Sequence, residues 1–227
     1  MPKTQRQHPR AARANNRHSR LGVRGHSASV NARGTKTTKS LRRIGWLVGC
    51  ILLAVVLLYW RTLSFEFVFD DWSYVIENPL LMRFESFAYP LHFTEFATAG
   101  EREGFDPDLC LNFILRPVVY FSFFINHALG GFDAGGFRIV NIAIHAANAS
   151  LVFLLVAHMA KVGPRSDERA SESLPLGPFS AALLFAIHPL QIESVTYVSQ
   201  RFESLATFFF LASCLTYGRH LKDGAAF

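Results

Sequence analysis

VVYFSFFINHAL, residues 118–129, is the stretch on which the fold turns. It is apolar enough for a bilayer, but as a helix it reaches only about 18 Å, against the ~20 residues needed to cross a hydrocarbon core. Arg116-Pro117 heads it and the turn-like GGFDAGG at 130–136 closes it. The spacing therefore predicts a juxtamembrane or re-entrant helix, not a span. Every later crossing depends on this reading: were 118–129 to cross, His188 and Glu193 would fall on the opposite side from Asp70.

Outward from that stretch the composition is that of a membrane protein. The 227 residues are 50% hydrophobic and 14% aromatic, with 22 Phe, and only 18% are charged; a soluble domain carries more charge. The net +6 is unevenly held, since residues 1–43 contain twelve Lys or Arg and no acid, which leaves the remainder at −6. That basic tail has almost nothing apolar to bury and is predicted disordered. Followed at once by an apolar run, it reads as an anchor keeping the N-terminus in the cytoplasm; lipid-headgroup adhesion and an organelle transit peptide are the other readings. It lacks the aromatic side chains on which single-stranded nucleic acid stacks, so no nucleic-acid partner is expected.

Residues 44–64 form the first predicted span, and a cleavable signal peptide is disfavoured by the long basic region and the absence of a small-residue cleavage pattern. An outer loop, 61–136, follows; its first part, 61–115, holds ten acids against three basic residues and recurrent aromatics, and reads as short helices on the membrane surface. Residues 137–160 return the chain. Shorter apolar runs within 176–190 and 202–218 make an outward and an inward span joined by a tight turn, with Arg219, His220 and Lys222 at the cytoplasmic end. The expectation is an all-α integral membrane fold of about four transmembrane helices, residues 44–227, behind a disordered tail, 1–43.

That topology gathers Asp70, Asp71, His188, Glu193 and Arg201 on one outer side. Arg138, Asn141, His145 and Asn148 recur at i, i+3, i+7 and i+10, on one face of the second span, and polar groups inside hydrocarbon must face protein, water or each other. They either line a cavity or hold helices together; Arg138 also lies near enough to the outer end to snorkel. The adjacent acids Asp70 and Asp71 sit among Phe65, Phe67, Phe69, Trp72 and Tyr74, surroundings expected to raise a carboxylate pKa toward the range of a general base. A plain solvated loop is the alternative. His188, Glu193, Arg201 and Glu203 flank the second outer turn, and cations there suit a departing phosphate as well as simple membrane anchoring. Cys50, Cys110 and Cys214 are far apart, with no zinc spacing, and no Walker, dinucleotide, zincin or Ser-His-Asp signature occurs.

Four blocks in order, DDWSYVIENP, RPVVYFSFFINHALGG, FRIVNIAIHAANASL and LLFAIHPLQIESVTYVSQRFESLATFFFL, resemble the N-terminal membrane portion of the transmembrane and tetratricopeptide-repeat protein O-mannosyltransferases, glycosyltransferases of the GT-C architecture. The resemblance covers about residues 45–218. It implies transfer of a sugar, mannose by preference, from a polyprenyl- or dolichyl-phosphate carrier to a protein hydroxyl on the non-cytoplasmic face, in a bacterial inner membrane or a eukaryotic endoplasmic reticulum. No cofactor is implied beyond the lipid-linked donor. An acid of the first outer loop acts as base in such enzymes, by position Asp70 or Asp71. The resemblance matches His188 and Glu193 to the HP-x-x-x-E block and Arg201 to the basic residue after it; these, with Arg116, Arg138 and His145, are the candidate contacts to lipid phosphate or substrate. Arg138 stands where the family often has His. Relatives continue through further spans and helical repeats, so the chain, ending in LKDGAAF, reads as truncated. The rival class is a non-catalytic multispanning protein or inactive fragment, an anchor or partner subunit whose polar stripe only holds helices together; a transporter fits less well, because no inverted repeat is visible.

Overall fold

The computed structural model describes residues 42–91, 106–162 and 175–224. The predicted basic tail up to residue 41, the outer-loop residues 92–105 and most of the polar loop, 163–174, lie outside the described residues. The chain divides into two compact units, Met1–Leu47 and Val48–Phe227, and the packing below is that of the second.

Among the described residues the regular structure is entirely helical. Helix α1 runs Arg42–Ser64 and tightens into a 3-10 turn at Trp60–Ser64. Ile51, Val55 and Tyr59, at i, i+4 and i+8, are buried, while Leu52, Leu53, Val56, Leu57 and Leu58 are exposed. A helix apolar on all sides but covered on only one is suited to lipid. Helices α2, Pro107–Leu115, and α3, Pro117–Gly130, follow, then α4, Ala134–Val162, α5, Leu176–Ile187, the short α6, Ile192–Thr196, and α7, Arg201–Gly224.

Local sequence explains the breaks. Asp106 caps α2 by accepting from the Asp108 amide at 2.9 Å, with Pro107 in the first turn, where a missing N–H costs nothing. Arg116 precedes a proline, which disfavours the α conformation; it sits at φ −129°, ψ 48°, and α2 and α3 meet there at 97°. Gly131, at φ +63°, ends α3 as only glycine does cheaply. Asp133 then caps α4, its two carboxylate oxygens accepting from Gly135 N (3.2 Å) and Gly136 N (2.9 Å).

Two helices, Arg42–Ser64 and Ala134–Ala160, are long and apolar enough to cross a membrane, or three if the bent α2–α3 pair counts as one. The stretch 118–129 thus lies within a short helix set off by a sharp bend. Helix α5, at 12 residues, is about 18 Å long, and α7 has charged residues near both ends of its apolar middle, so neither qualifies by itself. Packing centres on α4, which contacts α5 and α7 most extensively; Ala182 and Ala186, buried one turn apart on α5, permit that close approach.

The acidic segment after α1 is not a loose loop. Asn78 pins its turn, donating to Tyr74 O and accepting from the Leu80 amide, and Val75, Leu80 and Leu81 join Phe113, Tyr120, Phe123, Phe137 and Phe202 in one core. Phe87 packs against Phe113, Phe121 and Phe124 with ring centroids 5.1–5.6 Å apart. Each aromatic buried here contributes on the order of 2–3 kcal/mol. Where α4 begins, a Cβ on Gly135 would stand 3.0 Å from the Leu63 carbonyl. Gly135→Ala is therefore expected to push α4 from α1 and lower stability by about 1 kcal/mol, measurable by thermal unfolding in detergent; an unchanged transition would show that the approach is not tight.

Candidate functional site

The site is built around an interrupted helix. Residues 197–200 separate α6 from α7, and a break in a helix leaves backbone groups without their usual partners. Buried polar backbone must find others. Asn141 Nδ2 donates to Tyr197 O at 3.0 Å and reaches Val195 O at 3.5 Å; Arg138 Nε donates to Thr196 O at 2.9 Å. Ser204 Oγ donates to Ser194 O at 3.1 Å. Asp71 Oδ1 accepts from the Ser199 amide at 2.8 Å. Side chains of α4, α7 and the acidic segment thus hold the interruption open.

Arg138 is fully buried and also donates to the carbonyls of Phe65 and Glu66. It does not snorkel to the surface; it ties the segment after α1 to the end of α6. Arg201 is equally buried. Its Nε donates to Asn141 Oδ1 (2.7 Å), one terminal nitrogen to Ser122 Oγ (3.1 Å) and Asn126 Oδ1 (2.7 Å), and the other to Phe137 O (2.7 Å). The guanidinium carbon lies 4.6 Å from the centre of the Phe123 ring and 5.7 Å from that of Phe137. All four hydrogen-bond acceptors are uncharged, so the cation is solvated by dipoles and π faces.

The acid pair splits. Asp71 is wholly buried; beyond Ser199, its Oδ2 accepts from the Val68 amide at 3.2 Å, so both oxygens are occupied. Asp70 is exposed, and its carboxylate makes no hydrogen bond to a described residue. The preceding Phe69 has φ +47° and is 78% exposed, a left-handed conformation that is costly for a bulky residue and is often found at functional sites. Directly after the pair comes a π-helical turn, Trp72–Ile76.

The other candidates occupy three places. His145 lies deeper along α4, buried between Tyr59 (5.4 Å, edge-on) and Phe185 (5.5 Å, stacked). Its Nε2 is 3.0 Å from Ala186 O; a carbonyl only accepts, so that nitrogen carries a proton. Asn148, one turn on, donates to Ser204 O at 2.9 Å. The stripe 138, 141, 145, 148 is buried throughout and bonded to neighbouring elements, as interhelical hydrogen bonding requires. His188 and Glu193 are exposed. His188 Nδ1 accepts from Leu190 N at 3.2 Å, capping the Pro189–Gln191 turn, while Glu193 lies in the first turn of α6 with its carboxylate unbound by described residues. Arg116 is exposed, its guanidinium 4.6 Å from the centre of the Phe202 ring.

Asp71, Arg138 and Arg201 therefore converge on residues 195–201; His145 stands apart, and Asp70, Arg116, Glu193 and the Nε2 of His188 make no hydrogen bond to a described residue. Beside the convergence, an open cleft of about 430 Å³ runs between Leu63–Phe67 with Trp72 and Phe132–Gly135. Among the described residues no three His, Cys, Asp or Glu side chains come together as a metal site would need. Ser122 and Asn126 hold Arg201 without having been anticipated; their signal was a polar pair at i, i+4 within an apolar helix.

Comparison with known proteins bears on this arrangement. No family model and no solved structure matches the chain. It is 31% identical over 177 residues to the protein O-mannosyl-transferase TMTC3 of Mus musculus, 75% of this chain and 16% of that protein. It is 32% identical over 173 residues to TMTC1 of the same species, 76% and 17%, and 28% identical over 209 residues to Tmtc1 of Drosophila melanogaster, 87% and 21%. The chain spans about a fifth of the length of these relatives. Over about three quarters of its own length or more, it is a relative of the TMTC protein O-mannosyl-transferases.

Proposed function

We propose that the chain forms part of a membrane glycosyltransferase that moves a sugar, mannose by preference, from a polyprenyl- or dolichyl-phosphate carrier to protein hydroxyls on the non-cytoplasmic face. The observation that carries the reading is the division of the acid pair: Asp71 locks the segment onto Ser199, and Asp70, its neighbour, is exposed with a carboxylate that bonds to no described residue. In this reading the bundle makes four crossings with both termini in the cytoplasm, so that residues 61–115 and 188–201 share the outer side. Asp70 accepts the proton of the acceptor hydroxyl; the oxygen attacks the anomeric carbon, the bond from that carbon to the phosphate oxygen breaks, and the lipid phosphate leaves with the electron pair. Arg116 and His188 stabilise the leaving phosphate. Arg138, His145 and Arg201 act at one remove, holding the frame, and Glu193 stands at the acceptor side.

Two measurements test it. The protein reconstituted in vesicles with polyprenyl-phosphate [³H]mannose and a Ser/Thr-rich polypeptide should label the polypeptide, and a nucleotide-mannose donor should not replace the lipid. Glycosylation tags within 61–115 and 188–201 should be modified on the same side of the membrane. Absence of lipid-dependent transfer, with the tags on one side, would leave an anchor or partner subunit instead of an enzyme.

A further inference from the structure

The open cleft between the end of α1 and the start of α4 has a chemistry of its own. Its volume, about 430 Å³, is that of a ligand site. Of the residues lining it, Phe65, Phe67, Trp72 and Phe132 are aromatic, Glu66 and Asp133 are acids, and none is Lys, Arg or His. Two of the walls are held by other rings. Phe67 packs edge-on against the buried Phe137, with ring centroids 5.7 Å apart, and Phe132 lies 4.4 Å from the His127 ring. Arg138, wholly buried, pins the carbonyls of Phe65 and Glu66 from the interior, and its charge is opposed by Asp71 and Asp133. Glu66 is exposed and its carboxylate bonds to no described residue, so the cleft keeps an unbalanced negative charge.

Aromatic faces beside carboxylates suit an organic cation on an apolar stem. Lysine and arginine side chains have that form. A phospholipid headgroup matches less well, because its ammonium is joined to a phosphate that the acids repel. The segment 61–115, with ten acids against three basic residues, gathers basic polypeptides by its field. Position along the chain agrees: Trp72 is two residues beyond Asp70, so their backbones are at most ~7 Å apart, a distance that an extended polypeptide covers in about two residues.

We propose that this cleft selects the acceptor, by seating a Lys or Arg side chain that lies a few residues from the hydroxyl presented to Asp70. Trp72, Phe67 and Phe132 surround the stem, and Glu66 with Asp133 faces the charge. That the bound polypeptide is an acceptor rests on the glycosyltransferase reading; its binding does not.

The test is binding of a fluorescent Ser/Thr peptide, with lysine about three residues from the hydroxyl, to the protein in phosphatidylcholine nanodiscs without any sugar donor. The lysine peptide should bind at least about tenfold more tightly than its norleucine counterpart. Glu66→Gln and Trp72→Leu should each erase that preference, whereas Asp108→Asn, which removes an exposed acid of α2 outside the cleft, should keep it. Glu66→Lys should reverse it in favour of a glutamate peptide, a change of sign that misfolding cannot produce. Equal affinity for the lysine and norleucine peptides, or a preference that survives Glu66→Gln, overturns the cleft while leaving the enzymatic reading intact. An equal loss in Asp108→Asn makes the preference a property of the whole acidic segment, and displacement of the peptide by added phosphatidylethanolamine makes the cleft a headgroup site; either overturns the assignment. The expected preference and variant losses, in a protein that transfers no sugar, support the cleft and remove the enzyme.

Discussion

Asp70→Asn should lower sugar transfer by about 10²–10⁴-fold, the range that a positioned general base supplies, and leave the unfolding temperature where it was, since the Asp70 carboxylate bonds to no described residue. Asp71→Asn should do the reverse in kind. Its two oxygens accept from Val68 and Ser199 amides; an amide side chain offers one oxygen and one NH₂, so one buried N–H would face another donor. The expected loss is about 2–3 kcal/mol, with any fall in transfer following from loosening of the segment. Transfer rate and thermal unfolding, measured on both variants, separate the two roles. A stable, inactive Asp71→Asn beside an active Asp70→Asn would exchange the assignments.

Arg201→Met should cost the most stability of any single change considered, about 3–5 kcal/mol. The thioether fills part of the volume but strands the Asn141 and Asn126 side-chain oxygens and the Phe137 carbonyl, each of which now accepts from the guanidinium at 2.7 Å. Lysine does not rescue it, because a point charge on a flexible stem cannot reach acceptors spread over a planar fork. Arg201→Met and Arg201→Lys should both unfold earlier and be cut sooner by chymotrypsin after Tyr197, between α6 and α7. Wild-type protease resistance in both would mean that the network is not what orders the interruption.

Much of this frame is legible in the residues. Arg116-Pro117 and GGFDAGG mark the two ends of α3 because proline and glycine act on their own backbone, and the i, i+3, i+7, i+10 stripe marks the buried face of α4 because a helix repeats every 3.6 residues. Which carboxylate is free is not legible, since Asp70 and Asp71 differ by a turn of backbone at Phe69 and by a partner 128 residues away in Ser199. The same holds for the arginines: Arg138 reads as a surface or substrate cation, and its acceptors, at separations of 58 to 73 residues, appear only once the fold brings them close. Crossing number is also obscured, because α5 and the apolar middle of α7 are each short and only packing on α4 decides how far they extend.

The interruption between α6 and α7 binds several sites into one heritable unit. A helix running unbroken from Ile192 into α7 would satisfy its own carbonyls, and Arg138, Asn141 and Asp71 would each be left buried with part of its hydrogen-bonding capacity unmet. Conversely, losing one of the three leaves a carbonyl or an amide exposed in the interior. Neither change is tolerable by itself, so the break and its side chains can be lost only together. Among sequences that share this bundle, the residues at 71, 138, 141 and 201 should therefore stay polar or be lost as a set, and a chain with apolar residues at all four is expected to have a straight helix in place of the gap.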